Sequence, residues 1–177
     1  MSIEIERTYL ANRVPDWVLQ APKTKIEDYY FPTNMDLHPK LRLRRKGDLY
    51  EITKKSALIE GDASKQMETT IDLNELEFRE LCQNSKRKVT KCRYSLKTAD
   101  YLVDFDIFEG PLAGLLLVDF EFQSEAAMQS FVMPDYCGAD VTQDDFIAGG
   151  MLAGKALKDI KQELEQLGYS YPEIEGF

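Results

Sequence analysis

Hydrophobic and polar residues alternate over most of this chain, in short runs separated by turn chemistry. Residues 3–10 form the first run. A period of two predicts a β-strand with Glu4, Glu6 and Thr8 on one face and Ile3, Ile5, Arg7 and Tyr9 on the other. Residues 12–22, broken by Pro15 and Pro22 around Trp17, predict a loop or short helical turn. Residues 23–32 predict a strand carrying Ile26, Tyr29, Tyr30 and Phe31, stopped at Pro32. Two alternating runs, 41–46 and 49–55, flank Gly47-Asp48 and predict a hairpin. Further strands are expected at 66–71, 88–96, 101–108 and 115–122.

Helical spacing replaces alternation in three places. Asn74 is an N-cap for a helix carrying Glu75, Glu77, Phe78 and Leu81, with Phe78, Leu81 and Cys82 toward the core. Ser124 caps a second short helix, residues 124–131. Leu152, Ala156, Leu157, Ile160, Leu164 and Leu167 predict a C-terminal amphipathic helix ended by Gly168. Its apolar stripe is expected to pack on the sheet, or else to serve a homodimer. Residues 134–150 read as irregular. With no repeat and no linker, residues 1–177 read as one domain. The class is α+β, with about eight mostly antiparallel strands and interspersed helices.

Composition narrows the function. The 177 residues are 44% hydrophobic and 30% charged, a globular balance with enough chain for a sizeable core. A formal charge of −9 argues against a nucleic-acid partner, which needs a basic footprint. No apolar run reaches the roughly 18–20 residues of a membrane helix. The start is charged from Glu4 onward, unlike a signal peptide. Cys82, Cys92 and Cys137 are widely spaced and odd in number, which predicts free thiols and a cytoplasmic protein. Cys92 is expected to point away from the face of Lys91 and Arg93. The single histidine, His38, lies in a turn-like stretch. Trp17, Phe78, Phe105, Phe108 and Phe122 read as core.

Charge then changes the picture of the strands. Glu4 and Glu6 lie about 7 Å apart on one strand face. They repel each other unless they are solvated or share a cation, and hard oxygen donors suit Mg²⁺ or Mn²⁺. Like pairs at i, i+2 recur in Arg42/Arg44, Lys91/Arg93, Asp104/Asp106 and Asp119/Glu121. Repeated pairs of both signs fit a closed barrel with a charged interior. Basic pairs there would hold a polyanion such as a chain of phosphates, and acidic pairs would hold bridging cations. The competing arrangement is an apolar barrel with every charge outside.

The motifs together resemble the CYTH superfamily, the triphosphate tunnel metalloenzymes. Its Glu-x-Glu-x-Lys strand is matched by Glu4-Ile5-Glu6-Arg7-Thr8, with Thr8 in the lysine position. Arg42/Arg44, Thr53/Lys55, Glu68, Lys91-Cys92-Arg93-Tyr94 and Asp104-Phe105-Asp106 follow. The segments 109–115 and 118–122, and Val141-Thr142, complete a likeness running from Ile3 to about Ala153. The resemblance implies an eight-stranded antiparallel barrel forming a charged tunnel. It implies Arg42, Arg44, Lys55, Lys91 and Arg93 on a triphosphate or polyphosphate substrate. It implies Glu4, Glu6, Asp119 and Glu121 on Mg²⁺ or Mn²⁺, with Glu68 and Asp106 as supporting acids and Tyr30 assisting the attacking water. The expected activity is metal-dependent hydrolysis of inorganic tripolyphosphate, thiamine triphosphate or a nucleoside triphosphate. Thr8 brings in the alternative of a weakly active or non-catalytic polyphosphate or nucleotide binder. A class IV-type adenylyl cyclase is the third reading. The Arg and Asn that the family carries late in the tunnel have no counterpart in residues 145–150.

Overall fold

The computed structural model describes residues 2–173. Nine strands follow in chain order: β1 (Ser2–Ala11), β2 (Lys23–Phe31), β3 (Leu41–Lys46), β4 (Leu49–Ala57), β5 (Lys65–Leu73), β6 (Lys88–Lys97), β7 (Tyr101–Phe108), β8 (Leu116–Phe122) and β9 (Cys137–Asp140). The helices are α1 (Glu75–Cys82), α2 (Glu125–Ser130), α3 (Gly149–Leu152) and α4 (Lys161–Gln166), with short 3₁₀ turns between elements. The sheet order is β5-β4-β3-β2-β6-β7-β8-β1-β9, and β1 also pairs with β5. Antiparallel pairing of Ser2 through Ile5 with Glu68 through Lys65 closes eight strands into a barrel. β9 adds to the far half of β1. Gly47, at φ +60°, supplies the left-handed turn that the β3–β4 hairpin needs.

The pleat puts the charged face of each strand inside. Register then sets rungs across the barrel: Thr8 faces Asp119, Glu6 faces Glu121, Arg93 faces Asp106, Asp28 faces Arg44 and Lys55 faces Glu68. Apolar packing divides into two clusters. One fills an end of the barrel, where Leu10, Tyr30, Val89, Phe108 and Leu117 meet Ile147, Leu152, Ile160 and Leu164 of the C-terminal segment. The other lies on the outer face, where Tyr9, Cys92, Phe105, Val118 and Phe120 are covered by Val18, Trp17, Met128 and Phe131. Phe78, Phe105, Phe108 and Phe122 are buried as expected. The three cysteines are free.

Three local expectations are corrected. The C-terminal amphipathic helix is not continuous: α3 and the six-residue α4 are separated by Gly154 at φ +90° and a 3₁₀ turn. A left-handed residue cannot continue a right-handed helix, and it redirects the chain over the barrel end. The stripe residues Leu152, Ile160 and Leu164 are fully buried within the chain, so they are not a free dimer face. Residues 134–150 contain β9 and α3, because the second half of β1 still needs a partner beyond its pairing with β8. Leu81 is exposed while Phe78 is buried against Tyr29 and Tyr50, so α1 touches the barrel along a narrow stripe.

Capping explains where the short helices begin. Asn74 and Glu77 exchange side-chain-to-backbone hydrogen bonds in a capping box, and the Ser124 hydroxyl accepts from the Ala127 N–H. Arg87 is buried and donates to the carbonyls of Pro32, Asn34, Leu37 and Gly150. It ties the loop between β2 and β3 to α3 and so fixes one rim of the barrel. No helix among the described residues is long and apolar enough to cross a membrane.

Candidate active site

The barrel encloses a cavity of about 640 Å³. Glu4, Glu6, Tyr30, Arg42, Arg44, Lys55, Glu68, Lys91, Arg93, Asp119 and Glu121 all line it. They come from seven strands, and the inward parity of each strand brings them together. Asp106 is the predicted residue that does not line the cavity: it is fully buried behind Lys91 and Arg93.

Cations and carboxylates form three groups. On the β6–β7 side, Arg93 donates from Nε and Nη2 to the two Asp106 oxygens, at 2.7 and 2.6 Å, and from Nη1 to Asp104 at 2.6 Å. Lys91 pairs with the same Asp106, and Arg93 Nη2 also reaches Asp119 Oδ2 at 3.0 Å. Burial would raise the Asp106 carboxyl, but Arg93 and Lys91 more than offset it and hold it well below the usual range. Burial lowers the Lys91 ammonium, only partly opposed by Asp106. Asp106 is therefore saturated by two cations, and its geometry is that of an anchor that aims them.

The second group lies on β2 and β3. Arg44 donates from Nε and Nη2 to both oxygens of Asp28, each at 2.7 Å. Asp28 is 1% exposed. Burial would raise its carboxyl, but the Arg44 guanidinium holds it at about 2. Arg42, next on the same face, approaches Glu51 loosely at 3.8 Å and interacts with the Tyr30 hydroxyl, and its buried Nε–H has no hydrogen-bond partner among the described residues. A buried guanidinium N–H without an acceptor is costly unless an anion completes it. Tyr30 lies beneath, with its hydroxyl 3.5 Å from Asp28. Burial, then Asp28, push that hydroxyl well above an ordinary phenol, so it remains a proton donor.

The third group is acidic. Lys55 lies among Glu4, Glu68 at 3.4 Å and Glu6 at 3.9 Å. Burial would lower its ammonium, and Glu6 and Glu4 raise it instead. Glu6 is pushed up to about 7, first by burial and then by Asp119 and Glu4 against the opposing pull of Lys55. Burial, then Glu4 and Asp104, raise Glu121. This is an oxygen-only donor set with more negative charge than Lys55 neutralises, and it fits a hard divalent cation. Among the described residues no three of these acids are already drawn together as a metal cluster.

Glu51, Thr53, Asp104 and Lys46 also face the cavity, as do His38, Lys40 and Gln143. Strand parity puts Lys46 with Arg44 and puts Glu51 and Thr53 with Lys55, and Thr53 and Asp104 belong to the motifs read from sequence, though none of the four was given a role. Sequence reasoning missed His38, Lys40, Gln143 and the buried Asp28. Asp28 shares the face of Ile26 and Tyr30, and the same rule would have found it. His38, 3.4 Å from Asp145, and Gln143, which accepts from the Ala63 N–H, lie on loops where no period operates.

No protein-family model matches the chain. Over 143 residues it is 40% identical to a protein of Nitrosomonas europaea named inorganic triphosphatase, a match that covers 80% of this chain and 90% of that protein. The solved structure of an inorganic triphosphatase aligns with a TM-score of 0.62 at 35% identity, over 86% of this chain and 95% of the other. A putative adenylate cyclase from Bacillus halodurans shares the fold at a TM-score of 0.55 and 16% identity, over 92% of this chain and 98% of the other. With a closed barrel, an interior of paired cations and acids, and relatives this near in sequence, the chain belongs to the CYTH superfamily of triphosphate tunnel metalloenzymes.

Proposed function

We propose that this triphosphatase acts on inorganic tripolyphosphate, removing the terminal phosphate, with Mg²⁺ or Mn²⁺ on Glu4, Glu6, Asp119 and Glu121. The observation that carries the substrate choice is the cavity lining. Its aromatic members among the described residues are Tyr30, Phe108 and His38. Tyr30 and Phe108 are 9% and 3% exposed and belong to the apolar packing at the barrel end. Everything else that faces a ligand there is chiefly charged or small. Such a lining suits a bare phosphate chain and offers no slot in which a purine or thiamine ring would stack. That argues against the cyclase reading as well.

The chain's own groups divide the work. Among the described residues the buried Arg42 Nε–H is without an acceptor and open to a phosphate oxygen, Arg93 and Lys91 add positive charge beside it, and Lys55 adds a further cation among the acids. Charge that spreads over the phosphoryl oxygens in the transition state meets cations already fixed by Asp28, Asp104 and Asp106, so little reorganisation is needed. Tyr30 donates a hydrogen bond to the attacking water or to a phosphate oxygen, and it does not act as a base because its hydroxyl stays protonated. A bound divalent cation would neutralise phosphate charge and acidify the attacking water. It would compete with the Lys55 ammonium for Glu4 and Glu6.

The test is a substrate panel. Purified protein with Mg²⁺ or Mn²⁺ receives tripolyphosphate, ATP or thiamine triphosphate, and phosphate, pyrophosphate and cyclic AMP are measured. Phosphate release with kcat/KM for tripolyphosphate at least about tenfold above the other two is expected, since an unfilled contact surface is worth 1–3 kcal/mol or more. Cyclic AMP formation, or tight binding of every compound without turnover, would overturn the proposal.

A further inference from the structure

Position 8 carries threonine where the family's signature strand has lysine, and the structure gives that threonine a defined contact. Thr8 Oγ1 donates to Asp119 Oδ1 at 2.8 Å. The two residues face each other in the β1–β8 register, so the contact is built into the sheet. Asp119 Oδ2 is held on its other side by Arg93 Nη2 at 3.0 Å. Each oxygen of Asp119 therefore has one fixed donor, and the carboxylate keeps its remaining lone pairs toward the cavity it lines.

Thr8 is itself held. Its backbone N–H donates to Thr142 Oγ1 at 3.0 Å, its carbonyl accepts from the Val141 N–H at 2.9 Å, and Thr142 donates in turn to Asp140 at 2.5 Å. On the edge of β1 where pairing with β5 has ended, the strand takes up the segment after β9, while its other edge stays paired with β8. The hydroxyl is thus placed by backbone contacts on both sides.

We infer that Thr8 is a positioning residue for Asp119, fixing this carboxylate for a divalent cation, so that position 8 serves the metal side of the site and not the phosphate side. The inference rests on the proposed metal role of Asp119. Charge supplies the reason. Arg93 already gives Asp119 one cationic partner. A hydroxyl orients the carboxylate with a neutral donor and leaves its negative charge available.

Direct Mn²⁺ binding tests this without recourse to turnover. The full chain, stripped of metal, is titrated with Mn²⁺ and free ion is followed by electron paramagnetic resonance. Thr8→Val keeps the shape and removes the donor. It should weaken Mn²⁺ binding about tenfold or more, the usual effect of losing a group that orients a metal ligand. Thr8→Ser should restore binding to within about twofold on the same reasoning, and Thr142→Val should weaken it in the same direction by less. KM for tripolyphosphate at saturating Mn²⁺ should not move. If Thr8→Val does not fold, Thr8→Ala against Thr8→Ser makes the same comparison. Wild-type affinity in a folded Thr8→Val protein would overturn the inference while leaving the metal site standing. No Mn²⁺ binding by the wild-type chain would overturn both.

Discussion

At the scale of single residues, two of the carboxylates that build the site do not face its cavity. Asp28 and Asp106 lie behind the cations they hold, and both are buried to 1% exposure or less. Breaking such a pair leaves an uncompensated buried charge, which typically costs about 3–5 kcal/mol. Asp28→Asn should therefore destabilise the protein by about 3 kcal/mol at neutral pH, measured by urea unfolding. The pH dependence has a definite sign. The folded carboxyl titrates at about 2, below its unfolded value of about 3.9. Its stabilisation is complete above roughly pH 4 and is lost as pH falls through about 2. The gap between wild type and Asp28→Asn should shrink over that window, and a gap independent of pH from 6 to 2 would contradict the assignment. Both acids sit on the same strand faces as residues recognised from sequence. Alternation gives a residue's side of the sheet, but it does not say which acid faces open cavity and which faces a cation. That distinction depends on cross-strand register, as in Asp28 opposite Arg44 and Asp106 opposite Arg93.

At the scale of elements, the eight barrel strands were legible, while β9 and the course of the C-terminal segment were not. Period two is local information, and the runs at 41–46, 101–108 and their neighbours became strands at nearly the expected bounds. The stripe of Leu152, Ile160 and Leu164 correctly marked burial but not helix continuity. Packing into a barrel end and the left-handed Gly154 decided that instead. This segment also sets the floor of the site. A Cβ on Gly149 would lie 2.4 Å from the Tyr30 hydroxyl, so the hydroxyl's position depends on α3 having no side chain there. Gly149→Ala should displace Tyr30 and lower kcat for tripolyphosphate on the order of 10- to 100-fold, as expected of a misplaced reacting group. Overpacking should cost only about 1–3 kcal/mol of stability. Steady-state kinetics beside a thermal melt check this, and unchanged kcat in the folded variant would remove Tyr30 from the reaction.

At the scale of the whole molecule, an acidic chain of net charge −9 encloses a cavity with cations on one wall and carboxylates on another. Overall charge gave no sign of the interior, because a barrel separates inside from outside by strand parity and not by composition. The i, i+2 pairs of both signs were the part of that interior visible in sequence. The loops that bring His38, Lys40 and Gln143 to the rim were not visible. In the proposed reaction, water attacks the terminal phosphorus of an inorganic triphosphate inside this barrel. The most direct measurement is ³¹P NMR of tripolyphosphate with the protein and Mg²⁺ in ¹⁸O-enriched water. Equal amounts of orthophosphate and pyrophosphate should form, with ¹⁸O confined to orthophosphate. Label in pyrophosphate, or a tripolyphosphate spectrum that does not change, would contradict it.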